Sequence, residues 1–259
     1  MKRTIYLFLA VTLAVSAACH RRASEDHAGV TCLNMLTPEE QEAGWQLLFD
    51  GSSLSGWKAL GLDSIPGTCW QVEEGTIHKA AGEKATPLPG GKMPPSCDLM
   101  TVDTFRNFEL TFEWKISPAG NSGIKYNVSE EMSAAGGSTH ALGFEYQIID
   151  DVNYPARLSP SQHSAALYDL LPPVNAHPRP PGEWNKGRIL LRGHHGEHWL
   201  NGTKVVSYEL GTPLFDSLFR KSKYHKHPRF PEKRYGHIVL QDHADEVWFR
   251  HLKIRKLHE

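Results

Sequence analysis

The amino-acid sequence predicts an all-β protein, a jelly-roll β-sandwich built as a single domain, on three observations. Short runs of alternating, β-branched or aromatic residues recur along most of the chain. Gly, Pro, Asn and Asp punctuate them, and no apolar stripe at helical spacing persists beyond a few turns. Short strands divided by turn-rich stretches are what a sandwich or jelly roll requires.

At the N-terminus, Lys2 and Arg3 precede an apolar run from Ile5 to Val15, followed by Ser16, Ala17, Ala18 and Cys19. That is the layout of a secretory signal, and the run falls short of the roughly 20 apolar residues a membrane span needs. Cys19 directly after Ala-Ala resembles the bacterial lipobox, in which the cysteine is acylated and becomes the new N-terminus. Ordinary cleavage after Ala18 is the alternative. The expected organisation is a signal peptide over 1–18, a lipoprotein tether over 19–43 and the sandwich over 44–259, in an exported lipoprotein, periplasmic or associated with the outer membrane. Without Lys2 and Arg3 the net charge is near −3, which gives the surface no reason to seek nucleic acid, or a membrane other than through a lipid at Cys19.

Apart from Cys19 there are three cysteines, and in an oxidising compartment an odd count predicts one bridge and one free thiol. Cys69 and Cys97 sit beside two predicted strands and are the expected pair, leaving Cys32 over; spacing alone does not fix the choice.

The clearest strand is FELTFEWKI, with Phe108, Leu110, Phe112, Trp114 and Ile116 on one face and Glu109, Thr111, Glu113 and Lys115 on the other. SGIKYNV, LGFEYQIID, RILLRG, YGHIVLQDH and VWFRHLKIRKL continue the habit, and Asn201-Gly202 is placed as the turn of a hairpin within HHGEHWLNGTKVVSYEL. The segments TPLPGGKMPP and LPPVNAHPRPPGEW are expected as long loops at the sheet rim, because proline cannot donate to a central ladder.

No glycine-rich phosphate loop, Cys-x-x-Cys pair, His-Glu-x-x-His or nucleophile elbow is present. What remains is a set of polar residues inside apolar strand runs. In GFEYQIIDD, Glu145 and Gln147 share a face about 7 Å apart, opposite Phe144, Tyr146 and Ile148. Either that face is solvated, or it lines a concave sheet together with Lys125 and Gln241, as in jelly-roll lectins and glycosidases. His243 follows Gln241 and Asp242, so an imidazole, a carboxylate and an amide could hold a metal or a sugar hydroxyl. Asp242 faces the other way in a regular strand, so the three share a site only across a bend. His163, in SQHSAALYDL, could be a base, a metal ligand or a surface histidine. His194, His195 and His198 flank the predicted hairpin and are expected to be exposed turn residues. Trp184 is either a core anchor or a platform for a pyranose ring, with packing favoured.

The segments LFDGSSLSGWK, DLMTVDTFRNFELTFEWKI, GNSGIKYNV, GFEYQIIDD, ALYDLLPP, GEWNKGRILLRG, HWLNG and GHIVLQDHADEVWFRHLKIRKL together closely resemble the 3-keto-disaccharide hydrolase domain family, from about Gly44 to Leu257. The chain departs from it at Ala165 and Ala244, where the family usually has Gly, and at His251, where it has Asn. The resemblance implies a concanavalin-like jelly roll, export, and action on glycosides whose pyranose a partner sugar 3-dehydrogenase has oxidised at C3. It also adds Asn121 and Tyr168 to Gln147, Trp184, Gln241 and Asp242 as substrate-binding candidates.

Ordinary glycoside hydrolysis passes through an oxocarbenium-like state and needs two opposed carboxylates. A C3 ketone acidifies the C2 proton, so a base can remove it, the C1–O bond can break by elimination, and water can add to the enone. His163 or Glu145 is the candidate base. Lys125, His243 and Gln241 are candidates to hold or polarise the keto-sugar, with a divalent metal ion, for which His243 is the candidate ligand, as another way to stabilise an enolate. A sugar-binding lectin using the same face without a base, and a sandwich that binds a protein partner, are the competing readings.

Overall fold

The computed structural model describes residues 33–66, 69–82, 97–135 and 140–258. Cys19, Cys32 and the whole of TPLPGGKMPP fall outside these residues. Among the described residues thirteen strands, β1 (Trp45–Leu47), β2 (Trp57–Ala59), β3 (Gln71–Glu73), β4 (Thr76–Lys79), β5 (Leu99–Thr101), β6 (Phe108–Ile116), β7 (Asn121–Val128), β8 (Phe144–Ile149), β9 (Asn185–Arg192), β10 (His195–Leu200), β11 (Thr203–Glu209), β12 (His237–Leu240) and β13 (Val247–Lys256), form two antiparallel sheets. The larger has eight strands in the order β11-β10-β9-β6-β13-β4-β3, with β1 also paired to β13. The smaller has five, in the order β2-β5-β12-β7-β8. This is the predicted sandwich.

The alternation in β6 is the reason the sheets stack. Phe108, Leu110, Phe112, Trp114 and Ile116 are all buried, and they face Ile124, Tyr126, Phe144, Tyr146, Ile148 and Leu240 of the smaller sheet. At about 25 cal/mol per Å² of apolar surface, each such side chain contributes on the order of 1.5–3 kcal/mol. The β10–β11 hairpin turns at Asn201 (φ 49°) and Gly202 (φ 87°), both left-handed, as a tight hairpin turn demands. The proline-rich stretch from Leu171 to Trp184 is a loop, as its missing donors require.

Cys69 and Cys97 form a disulfide across 28 residues, with Cα atoms 6.2 Å apart. Closing a loop of that length contributes roughly 3–4 kcal/mol by restricting the unfolded chain.

Two expectations need correction. Residues 33–43, assigned to the tether, are packed on the larger sheet. Thr37 caps helix α1 (Pro38–Glu42) in a reciprocal capping box with Glu40, whose carboxylate also accepts from Lys253 at 2.7 Å. Asn34 exchanges hydrogen bonds with His251 at 2.8 and 3.3 Å. His198, expected in an exposed turn, is fully buried between the sheets, where its ring bonds the Tyr126 hydroxyl at 2.9 Å and the Ala165 carbonyl at 3.0 Å. The inward parity of β10 puts it there. Desolvation pulls its pKa down to about 4, against the pull of the carbonyls of Ala165 and Ala166.

Ala165, Ala244 and His251 have φ of 66°, 66° and 53°. All three departures from the family residues therefore occupy left-handed backbone, which glycine adopts freely and an L side chain adopts at a cost of about 1–2 kcal/mol. The bulge in β13 at His251 shifts its register against β6 between Arg250 and Lys253.

Candidate active site

The outer face of the smaller sheet collects most of the polar residues singled out from the sequence, because antiparallel register aligns them in rows. Lys125 lies opposite both Val239 and Glu145, Gly123 opposite Gln147, and Asn121 opposite Ile149. Gln241 continues the middle row, its N–H donating to Gly123 O at 2.9 Å. Beyond β8 the chain from Ser164 to Tyr168 runs along the sheet edge: Ala165 N–H donates to Gln147 O at 2.8 Å and Tyr168 N–H to Glu145 O at 3.0 Å. Asn121, Lys125, Glu145 and Gln147 are all buried, which a solvated outer face would not produce.

Gly123 stands at the centre of these rows. A Cβ there would come within 2.8 Å of Glu145 Oε1, so the carboxylate leans over the space that a side chain would fill. The Gln147 amide is oriented with its nitrogen donating to Glu145 Oε1 at 3.2 Å and Ser122 O at 3.1 Å; the reverse would set oxygen against oxygen. Gln241 Oε1 is buried and has no hydrogen-bond partner among the described residues. A buried acceptor left open costs about 1–3 kcal/mol, and a sugar hydroxyl would satisfy it.

At one end of β8, His163 Nδ1 stands 3.4 Å from Asp151 Oδ1, which also accepts the Ser164 N–H at 2.8 Å. Burial raises the Asp151 carboxyl despite that N–H and the imidazole. This is the orienter-and-imidazole arrangement of acid–base dyads. Asn121 Nδ2 donates to the Tyr154 hydroxyl at 3.2 Å and to His243 Nε2 at 3.3 Å, while His243 Nδ1 faces Asp245 at 3.3 Å.

Four residue roles change. Lys125 Nζ donates to Ala141 O at 3.1 Å and lies 3.7 Å from the fully buried Asp98 carboxylate. Burial alone would raise Asp98, but the Lys125 ammonium, His140 and the N–H groups of Ala141 and Asp242 outweigh it, and its pKa falls. Lys125 is thus committed as a counter-ion and is not free to polarise a substrate. Asp242 Oδ1 accepts the Ala244 N–H at 2.9 Å and lies 3.5 Å from Lys79, whose side chain is wholly buried; it secures the turn after β12 rather than a ligand. Trp184 is in neither core nor groove: it lies on the outer face of the larger sheet with Arg250 stacked 4.0 Å over its ring. His243 meets a single carboxylate and an amide, and among the described residues no three His, Cys, Asp or Glu side chains converge as a metal set, so its surroundings do not fit the role of metal ligand.

The sequence reading passed over Asp98, Asp151, Tyr154, Gly123 and Lys223. Lys223, in the polar run KSKYHK, carries no local signal. In the fold its Nζ lies 4.1 Å from the Tyr168 ring centroid.

A hollow of about 450 Å³ opens on the other side of the molecule, over the larger sheet, lined in part by Glu113, Lys186, Trp199 and Lys253. Its charges are matched: Glu113 accepts from Arg250 at 2.8 Å and Lys253 donates to Glu40 at 2.7 Å. The chemistry therefore points to the smaller sheet, not to this hollow.

Residues 44–255 match the family model described as a 3-keto-alpha-glucoside-1,2-lyase-like domain. A 3-keto-disaccharide hydrolase of Bacteroides thetaiotaomicron is 34% identical over 236 residues, covering 83% of this chain and 79% of that protein. Two crystal structures from Parabacteroides distasonis, of proteins assigned as glycosyl hydrolases, share the fold. One has a TM-score of 0.77 at 32% identity, covering 88% of this chain and all of its own; the other has 0.59 at 25%, covering 82% and 99%.

Proposed function

The chain belongs to the 3-keto-alpha-glucoside-1,2-lyase-like domain family, and from that premise we propose that it cleaves 3-keto-glycosides in the groove on the smaller sheet, by base-promoted elimination across C1 and C2 followed by hydration. The coarser reading, a glycoside-cleaving enzyme acting on a carbohydrate, is supported by the relative and the family.

The observation that carries the elimination is the order of groups along β8. Glu145 leans over the open floor at Gly123, and the His163–Asp151 dyad stands further along the same edge. Glu145 removes the C2 proton; the C2–H pair forms the C2–C3 π bond and the C3=O π pair moves to oxygen. The enolate then collapses: the carbonyl re-forms, a C1–C2 double bond forms, and the C1–O bond breaks with its pair going to the leaving oxygen. His163, presented to solvent and oriented by Asp151, protonates that oxygen and can later activate the water that adds. Gln241 Oε1 accepts a ring hydroxyl. An inert lectin face would need no carboxylate set over a glycine floor.

The test compares a 3-keto-glucoside with its unoxidised parent in heavy water. Cleavage of the ketone alone, with deuterium entering C2, is the expected result. Efficient cleavage of the parent, or cleavage with no deuterium ever reaching C2, would exclude elimination.

A further inference from the structure

An enolate needs a cation or donor at its oxygen, and the sequence candidate, Lys125, is neutralised by Asp98. We propose that Lys223 fills this place, binding the C3 oxygen of the keto-sugar and stabilising the enolate; this role rests on the elimination reading above.

The backbone that carries Lys223 is fixed from both sides. Ser222 ends helix α2 of the groove wall, here the segment Pro213–Lys221, by donating to Phe219 O at 2.8 Å, and its hydroxyl caps the next turn by accepting the Tyr224 N–H at 3.2 Å. Tyr224 is buried and stacked on Phe230 with centroids 4.5 Å apart. The Lys223 N–H donates to Asp169 Oδ2 at 2.6 Å. The side chain then crosses Tyr168, whose own N–H is bonded to the Glu145 carbonyl. That path delivers the ammonium to the Glu145 end of the groove.

Among the described residues no carboxylate stands within ion-pair distance of Lys223, in contrast to Lys125, Lys58, Lys79 and Lys253. The charged groups that act on it are Glu145 first, then Lys125 and Asp169. Lys223 is exposed as a residue, but the protein atoms crowding its ammonium lower its proton affinity, Glu145 and Asp169 oppose this, and Lys125 adds to it. An ammonium with a loosened hold on its proton can neutralise an oxyanion at once and hand it a proton if needed. The sequence of groups along the groove, Lys223, Glu145, His163, then parallels the sequence C3 oxygen, C2 hydrogen, C1 oxygen on one edge of a pyranose.

The experiment uses the full chain with Lys223→Met, Lys223→Arg and, as a control, the exposed Lys221→Met. Two probes are read: cleavage of a 3-keto-glucoside, and C2–H exchange in heavy water of a 3-keto-1,5-anhydro sugar, which can enolise but has no leaving group. Lys223→Met should slow both by about 10²–10³-fold, the range for loss of one oxyanion donor, chiefly in kcat. Lys223→Arg should recover part of each rate, and Lys221→Met should leave both unchanged. Equal exchange rates in wild type and a folded Lys223→Met protein would overturn the role. Absence of exchange in the wild type would instead overturn the elimination reading beneath it. Borohydride treatment during turnover should leave Lys223 unmodified; a reduced adduct on it would replace the ionic role with an imine.

Discussion

The outer faces of the two sheets are both polar, yet they differ in what happens to their charges. On the larger sheet several charged groups answer one another: Glu109 accepts from Arg255 at 2.7 Å and also from Arg188, Glu197 accepts from Lys204 at 3.0 Å, and Arg250, bonded to Glu113, also stacks on Trp184. On the smaller sheet, Gln241 Oε1 and Asn127 Oδ1 are buried with no hydrogen-bond partner among the described residues. Folding normally satisfies buried polar groups. Leaving two such acceptors open costs stability, which is tolerable where a ligand supplies the missing partners.

Activity separates the faces most strongly. Glu145→Gln should lower kcat for a 3-keto-glucoside by about 10²–10⁴-fold, the range for loss of a general base, whereas Glu113→Gln on the opposite face should leave it within about twofold. Comparable rates for both variants in a steady-state assay would erase the distinction between the faces.

Stability should separate them next. Asp98→Ala strands the buried Lys125 charge and should cost about 3–5 kcal/mol, while Lys204→Met removes a solvent-exposed partner of Glu197 and should cost no more than about 1 kcal/mol. Urea denaturation curves of the two variants are the measurement, and a small loss for Asp98→Ala would mean that Lys125 has another anchor.

The layer between the faces has its own signature. His198 titrates near 6.5 when unfolded and about 4 when folded, so the unfolded state takes up its proton first as pH falls. Its contribution is fully present above pH 6.5 and is lost on descent toward pH 4, by about 3 kcal/mol at most. Denaturation midpoints measured across that window should fall, and a flat profile would show that the imidazole charges without cost.

Much of this architecture is legible in local pattern. Period-two alternation announces β6 and β8, the Asn201-Gly202 pair announces its hairpin, and the cysteines beside two predicted strands pair as expected. The capping box at Thr37 and Glu40 was equally legible as a helix start, but the segment before it resembled a tether and masked that signal. The site was legible only as a list of odd residues. Glu145, Gln147 and Gln241 stand out because polar side chains interrupt apolar runs, while Trp184 stands out as an aromatic beside a proline-rich loop and lies on the other sheet.

Sequence by itself determined the fold class and the face on which each strand residue sits, because side-chain parity is a property of the extended backbone and needs no neighbours. Tertiary structure alone decided which charges are spent and which are available. Lys125 interrupts an apolar strand run and Lys223 sits in a polar one, and neither context tells whether the charge is paired. One is brought to a buried aspartate by the pairing of β5, β12 and β7, and the other is carried across Tyr168 by a capped turn far along the chain. Coulombic pairing depends on separations of a few ångströms between residues remote in sequence, and only the packed sheets set those distances.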